Sequence, residues 1–236
     1  MKRVAAIQSS YIPWRGYFDI IAMVDEFILL DEVQYTKRDW RNRNRVKTAQ
    51  GPLWLTIPVQ VKGRYHQRID EVRVADPGWA ERHWQTLRQA YAQAQCFDAV
   101  AEQIAALYEQ AAPLERLADV NRLFLEGICP LLEIETKLSW STDYESAGAK
   151  TERLLSLCEQ AGADEYVSGP AAKDYLDEGE FADRGIGVRW MDYEGYPEYP
   201  QVHPPFEPAV SIVDLLFNAG PEAPRYMKHA GAGARR

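Results

Sequence analysis

Apolar residues fall in short unbroken runs near the start of the chain and in long helical periods through its middle, and the two patterns predict different architecture. Val4-Ala5-Ala6-Ile7, framed by Arg3 and Gln8, reads as a strand buried on both faces, and Glu26-Phe27-Ile28-Leu29-Leu30 reads as a second. Between them Pro13-Trp14-Arg15-Gly16 breaks the chain before an apolar helix at about 16–24. Strand, turn, helix and strand in that order form a βαβ unit, which requires a parallel sheet and puts binding loops beyond the C-terminal strand ends.

Leu53 to Val59 is a further strand candidate, with Arg68 to Val74 as its partner across a turn at Lys62-Gly63-Arg64. From about 77 to 133 the apolar spacing becomes helical, predicting helices at 79–94, 97–110 and 114–132. Alternation then resumes with strands at about 135–138, 165–167 and 187–191 and a helix at about 150–161. Ser211 to Asn218 predicts a short helix, N-capped by Ser211, with Asp214 near its positive end and apolar residues docking it on the sheet. The expected fold class is α/β: a mostly parallel sheet of Rossmann-like βαβ units with a helical insertion at about 77–133. One domain is expected over 1–229, with 230–236 a disordered tail.

Composition alters this little, since 236 residues with 46% hydrophobic side chains suit one substantial core. No apolar run approaches the roughly 18 to 20 residues that span a bilayer. Gln8-Ser9-Ser10 ends the first apolar stretch too early for a secretory leader, so a cytoplasmic protein is expected. Cys96, Cys129 and Cys158, like His66, His83, His203 and His229, show no paired spacing, which argues against a zinc cluster or disulfide framework. A divalent metal held by a ligand phosphate and a carboxylate such as Asp31 stays open.

Charge alters it more. Within a chain of net charge -8, Lys37, Arg38, Arg41, Arg43, Arg45 and Lys47 face only Asp39; six positives less one negative give +5 and leave -13 for the rest. Such a run is a solvated face in many proteins. Here, however, Trp40, Asn42 and Asn44 alternate with Arg41, Arg43 and Arg45, so in an extended chain the guanidinium groups form one comb. Their paired donors match phosphate or carboxylate, and the comb is expected to hold an anion.

Three loops then share one expected sheet edge: Gln8 to Gly16, Asp31 to Lys47, and Ser168 to Lys173. Ser168-Gly169-Pro170 predicts a tight turn into a short helix whose free N–H groups, with Lys173, suit an anion; a plain connection is the alternative. Asp31 is placed to hold a metal or accept a proton, or with Glu32 to cap a strand end. Tyr193 to Pro208, with five prolines and three tyrosines, suits an ordered loop across a cleft, and its His203 is the candidate general acid or base.

Gln8-Ser9-Ser10-Tyr11-Ile12-Pro13-Trp14-Arg15-Gly16-Tyr17-Phe18, Leu30-Asp31-Glu32-Val33-Gln34-Tyr35, Lys37 to Asn44, Ser168 to Tyr175 and Ser211 to Asn218 together resemble the WbqC-like family across nearly the whole chain. That family is associated with bacterial O-antigen and other surface-polysaccharide gene clusters. More distantly, the first βαβ unit is similar to the nucleotidylyltransferase and pantothenate-synthetase superfamily, whose first strand ends in a histidine-x-glycine-histidine signature. Trp14-Arg15-Gly16-Tyr17 keeps the glycine and puts aromatic residues at both histidine positions. Arg15 and the basic run would then make the phosphate contact.

The resulting expectation is an enzyme that modifies a nucleotide-activated sugar, by acyl or aminoacyl transfer to an amino sugar, with His203 and Asp31 catalytic. Gln8, Tyr11, Trp14, Gln34, Lys37, Arg38, Trp40, Arg41, Asn42, Arg43, Arg45, Ser168 and Lys173 are expected to bind the anionic substrate. Nucleotidylyl transfer or adenylate-forming ligation using ATP is one alternative. An RNA-binding groove or a noncatalytic subunit is another, although the net acidity favours a small ligand over nucleic acid.

Overall fold

Every backbone polar group of a strand buried on both faces must be paired in a ladder, and the first such strand, β1 (Arg3–Ile7), lies at the centre of the sheet. It is followed by α1 (Arg15–Met23) and β2 (Glu26–Leu29). A hairpin of β3 (Arg43–Thr48) and β4 (Gly51–Thr56) leads to helices α2 (Trp79–Tyr91), α3 (Phe97–Ala111) and α4 (Leu117–Ile128). The chain continues as β5 (Lys137–Trp140), α5 (Thr151–Gln160), β6 (Glu165–Ser168), α6 (Glu178–Asp183), β7 (Gly187–Trp190) and α7 (Ile212–Ala219). This computed structural model describes residues 1–145, 148 and 150–231. Of the expected tail, 232–236 lie outside the described residues, whereas the Ala230 N–H is 3.3 Å from Asp19 Oδ1.

The five-stranded sheet has the order β5-β2-β1-β6-β7, with every neighbouring pair parallel. Counting only these strands along the chain, the order is 3-2-1-4-5, and its direction reverses between β1 and β6. In open parallel sheets that reversal separates the loops and leaves a crevice at the strand C-termini. The two sheet faces bury alternate residues. Ala5, Phe27, Leu29 and Val167 join one packed cluster with α1, α7 and the helical insertion. Val4, Ala6, Ile28, Leu30 and Tyr166 join a second with Leu154, Leu157, Phe181 and Ile186 of the α5–α6 side.

Several expected elements are rearranged. The strand at 51–56 pairs antiparallel with the basic strand β3, not with 68–74. Ile69–Glu71 is instead a single 3-10 turn, because Glu71 accepts the Arg68 N–H (2.9 Å) and Arg68 pairs with Asp70 (2.7 Å). Only the bridge Val59↔Val74 remains of the expected pairing. Pro170–Asp174 is a five-residue 3-10 segment and not an α-helix. Helix α7 packs on α3 and β3, its Ser211 N–H donating to the Arg45 carbonyl (2.8 Å), and its apolar residues share the packed cluster of Ala5, Phe27 and Leu29.

Buried carboxylates tie the layers. Glu26, 1% exposed, accepts from Lys2 (2.8 Å), Lys137 (2.9 Å) and Ser139 (2.7 Å), and from the Tyr144 hydroxyl. Burial opposes its ionisation, but those donors outweigh burial and hold its pKa at about 2, below the ordinary 4.5. The unfolded chain therefore binds the proton more readily, so stability falls as pH drops from 4.5 towards about 2. Glu26→Gln should flatten this acid limb when urea midpoints are compared across that pH range; an unchanged limb would show that Glu26 does not govern it.

Candidate functional site

The loop leaving β1 has no ladder partner, so side chains from elsewhere satisfy it. Asp31 Oδ1, just beyond β2, accepts the Ser9 N–H (2.7 Å). One terminal nitrogen of Arg41 donates to the carbonyls of Gln8 (2.8 Å) and Ser9 (3.0 Å). Asn44 donates to the carbonyls of Tyr11 (3.2 Å) and Ile12 (3.0 Å), and the Ser211 hydroxyl also donates to Ile12 (2.6 Å). These bonds hold Ile12 at φ 35°, a left-handed conformation costly for a β-branched residue.

Tyr11 points into the core. Its hydroxyl lies 2.8 Å from His83 Nδ1 and 2.7 Å from the Tyr108 hydroxyl. Burial pushes the His83 pKa down to about 4, so the imidazole is neutral there. Next, α1 begins against Trp14: a Cβ on Gly16 would come within 2.4 Å of the Trp14 indole. Glycine thus lets that ring lie across the helix start.

At the reversal between β1 and β6 opens a cavity of about 870 Å³. Gln8, Glu32, Gln34, Arg153 and Ser168 supply polar lining, and Trp14, Tyr17 and Tyr193 an aromatic wall. Glu32 and Arg153 form an ion pair (3.4 Å). A second cavity of about 450 Å³ shares Trp14 and Tyr17 and extends to Trp40, Arg41 and Arg45. Burial raises the Tyr17 pKa far above its ordinary value, so its phenol stays neutral and donates to the Gln8 carbonyl (2.9 Å). A third concavity of about 720 Å³, around residues 63–73 and Arg116, borders this edge where the Gln34 amide donates to the Tyr65 carbonyl (2.9 Å). Two of its arginines are already paired, Arg68 with Asp70 (2.7 Å) and Arg73 with Glu115 (2.5 Å).

The comb is present: Asn42, Asn44 and Val46 point inward while Arg41, Arg43 and Arg45 lie towards the surface. Its members nevertheless differ. Arg41 clamps the β1 loop and Arg43 packs 4.1 Å from the Trp54 ring, whereas Arg45 lines the smaller cavity; the Nε of Arg43 and that of Arg45 are both buried and unbonded. Asn42 belongs to the interior, bonded to Tyr35 (3.0 Å) and the Ile57 carbonyl (2.8 Å). Lys37 and Arg38 are exposed. Lys173 sits over the Trp190 ring at 5.4 Å, outside the residues lining either cavity. Arg15, expected to reach phosphate, is buried and donates to the carbonyls of Pro197 (2.8 Å) and Tyr226 (3.2 Å).

His203 is likewise not among the residues lining either cavity, its Nε2 3.0 Å from the Ala90 carbonyl. Asp31 is 1% exposed and abuts a small cavity of about 150 Å³ that Glu32 also lines. Its Oδ2 is buried and unbonded. Burial raises its pKa to about 6, against the ordinary 3.8, despite opposing bonds from Ser9 and the charge of Arg41. Glu32, Arg153 and Tyr193 escaped sequence reasoning as site residues, and only Tyr17 had a signal, its place in the glycine-containing turn. Among the described residues no group of three or more His, Cys, Asp or Glu side chains is arranged to hold a metal.

Between pH 3.8 and about 6 the folded protein binds the Asp31 proton more tightly than the unfolded chain, so this group's contribution falls as pH rises through that window. Asp31→Asn keeps an acceptor for Ser9 and removes the charge. It should raise the urea midpoint at pH 7 while leaving it unchanged near pH 4, and a loss at pH 7 would refute the assignment. Gly16→Ala should displace the Trp14 ring, seen as altered tryptophan emission, while costing roughly 1 kcal/mol or less if the ring swings clear; unchanged emission would show that Gly16 does not set its position.

Among known proteins, the uncharacterized protein Rv1507c of Mycobacterium tuberculosis (strain ATCC 25618 / H37Rv) is 55% identical over 231 residues, covering 97% of this chain and 99% of that one. No solved structure matches significantly. The family model of the WbqC-like proteins matches residues 8–226, which include the β1 loop, the basic hairpin, the Ser168 turn and α7; the chain belongs to the WbqC-like protein family.

Proposed function

We propose that the crevice between β1 and β6 binds a nucleotide-activated sugar, and that the protein modifies an amino group on that sugar by acyl or aminoacyl transfer in bacterial surface-polysaccharide assembly, such as that of O-antigen. The observation that carries this is the pair of adjoining cavities near the strand-order reversal, which share Trp14 and Tyr17, one with amides and hydroxyls on its lining, the other carrying Arg41 and Arg45. A sugar nucleotide needs both surfaces, with aromatic walls for its flat and apolar faces. Its diphosphate supplies the acceptor that the buried Nε of Arg45 lacks. Gln8, Gln34 and Ser168 then face the sugar, and Trp14 and Tyr17 separate the two ends.

In the transfer, the amine nitrogen attacks the donor's acyl carbon. The new C–N bond forms, the donor's leaving group departs with the electron pair of the broken bond, and the amine gives up one proton. Glu32, ion-paired to Arg153, is the carboxylate on the cavity lining that is placed to receive it. Asp31 lies wholly buried beside it and positions Ser9.

The test incubates the protein with UDP-linked amino sugars and either acyl-coenzyme A or ATP with amino acids, followed by mass spectrometry. A sugar nucleotide heavier by one acyl group is expected, together with a thermal shift by the sugar nucleotide alone. Arg45→Ala should weaken that binding about tenfold or more, the worth of a charge-assisted bond, without lowering the melting temperature of the free protein. Absence of both product and thermal shift across these substrates would overturn the proposal.

A further inference from the structure

We infer that the outer face of the β3–β4 hairpin is a docking surface for an anionic lipid bilayer. From Lys37 to Thr56 six cations meet a single acid, Asp39; six less one is +5, which leaves -13 for the rest of a chain of net charge -8. Lys37 and Arg38 are exposed and Arg43 and Arg45 half-buried, and among the described residues none of these four has a carboxylate within ion-pair distance. Lys47 is excluded from the face, being buried with its Nζ donating to the Pro205 carbonyl (2.5 Å).

Two large aromatic side chains are exposed at the same place: Trp40 at 43% and Trp54 at 41%. Arg45 and Trp54 are direct cross-strand partners, and the Trp40 and Trp54 rings pack 5.4 Å apart. Indole rings favour the boundary between hydrocarbon and headgroups, and arginine carries its charge outward from an apolar stem. Cations with such rings on one surface are the composition that holds a protein on anionic lipid. The acidic remainder of the molecule is repelled by the same surface, which fixes the orientation and makes attachment weak and salt-sensitive.

A single-stranded nucleic acid is the rival partner for arginine and tryptophan, but it stacks its bases on open rings. Here the Trp54 ring is already packed by both Trp40 and the Arg43 guanidinium, 4.1 Å from its centre. Trp40 and Arg45 also line the smaller cavity, so a docked molecule holds that cavity at the headgroup layer. The inference does not depend on what the cavity binds.

Flotation of the intact protein with vesicles tests it. Binding is expected to mixed phosphatidylcholine and phosphatidylglycerol at low salt, with tryptophan emission shifted to the blue, and release at high salt. Lys37→Glu with Arg38→Glu alters only exposed side chains and should weaken partition by at least about fivefold. Trp54→Ser should remove much of the emission shift, its folding verified by circular dichroism. Failure of folded wild type to float with the mixed vesicles, equal binding to phosphatidylcholine alone, or an unchanged partition in the double charge variant would overturn the inference. So would tighter binding to a generic oligonucleotide than to vesicles, or a dimer in light scattering that Trp54→Ser dissociates.

Discussion

The backbone of residues 8–13 leaves the sheet without a ladder to pair with, and the site depends on how that deficit is met. Asp31, Arg41, Asn44 and Ser211 converge on it from three separate segments, bonding Ser9, Gln8, Tyr11 and Ile12. An unmet polar group of this kind costs roughly 1–3 kcal/mol when buried, so the loop is held in one shape and the shape fixes Trp14. The same bonds fasten β3 to the parallel sheet, although no strand ladder joins them. Alternation in the basic run therefore has two uses: Asn42 and Asn44 turn inward to bond backbone, while the guanidinium groups turn outward.

A second set of buried acids closes the structure over α1. Asp214, fully buried, accepts from Tyr91 (2.7 Å), Tyr199 (2.7 Å) and Gln201 (2.8 Å), which pins the proline-rich segment against α7. Burial raises its pKa even against those three donors. Asp19 accepts the N–H groups of Lys228 (3.0 Å) and His229 (2.8 Å), fastening the last described residues to the middle of α1. Arg15 is trapped between these anchors, 4.6 Å from the Tyr196 ring. The segment carries Tyr193 into the cleft wall, where the ring packs 5.1 Å from Trp14. It thus serves as tethered wall, and His203 belongs to its outer anchorage on α2.

The parallel sheet was legible because strands buried on both faces need unbroken apolar runs, as in Val4 to Ile7 and Phe27 to Leu30. The insertion was equally visible, since helices packed on one side keep a periodic stripe, and α3 departs by one residue from its expected end. Pairing of β4 was not legible: residues 68–74 alternate as well as the true partner does, and only the local bonds of Asp70 and Glu71 divert them into a turn. The burial of Tyr11 and Asn42 was hidden for a related reason, because their partners His83, Tyr108 and Ile57 lie 15 to 97 positions away. Polar residues read as ligand contacts were in part contacts of the fold with itself. Gln8, Trp14, Gln34, Trp40, Arg41, Arg45 and Ser168, by contrast, do line one or other of the two adjoining cavities.

Trp14 and Tyr17 decide between the chemistries that a βαβ crevice can host. In the distant resemblance of the first βαβ unit to the nucleotidylyltransferase signature they stand at the histidine positions, and both line the two cavities. Imidazole there can carry a proton and a positive charge towards phosphate. Indole cannot, and burial keeps the Tyr17 phenol neutral while its proton is committed to the Gln8 carbonyl. Arg15, the one cation in that turn, is covered by Tyr196 and bonded to Pro197 and Tyr226. Positive charge reaches the crevice instead from Arg41 and Arg45 on the hairpin, from Lys150 at the start of α5 and from Arg153 on it. The three guanidinium groups can hold a diphosphate in place but cannot shuttle protons to a departing pyrophosphate, because guanidinium stays charged at any working pH. That division of labour favours a ligand bound through its diphosphate and altered elsewhere, at the sugar end beside Glu32.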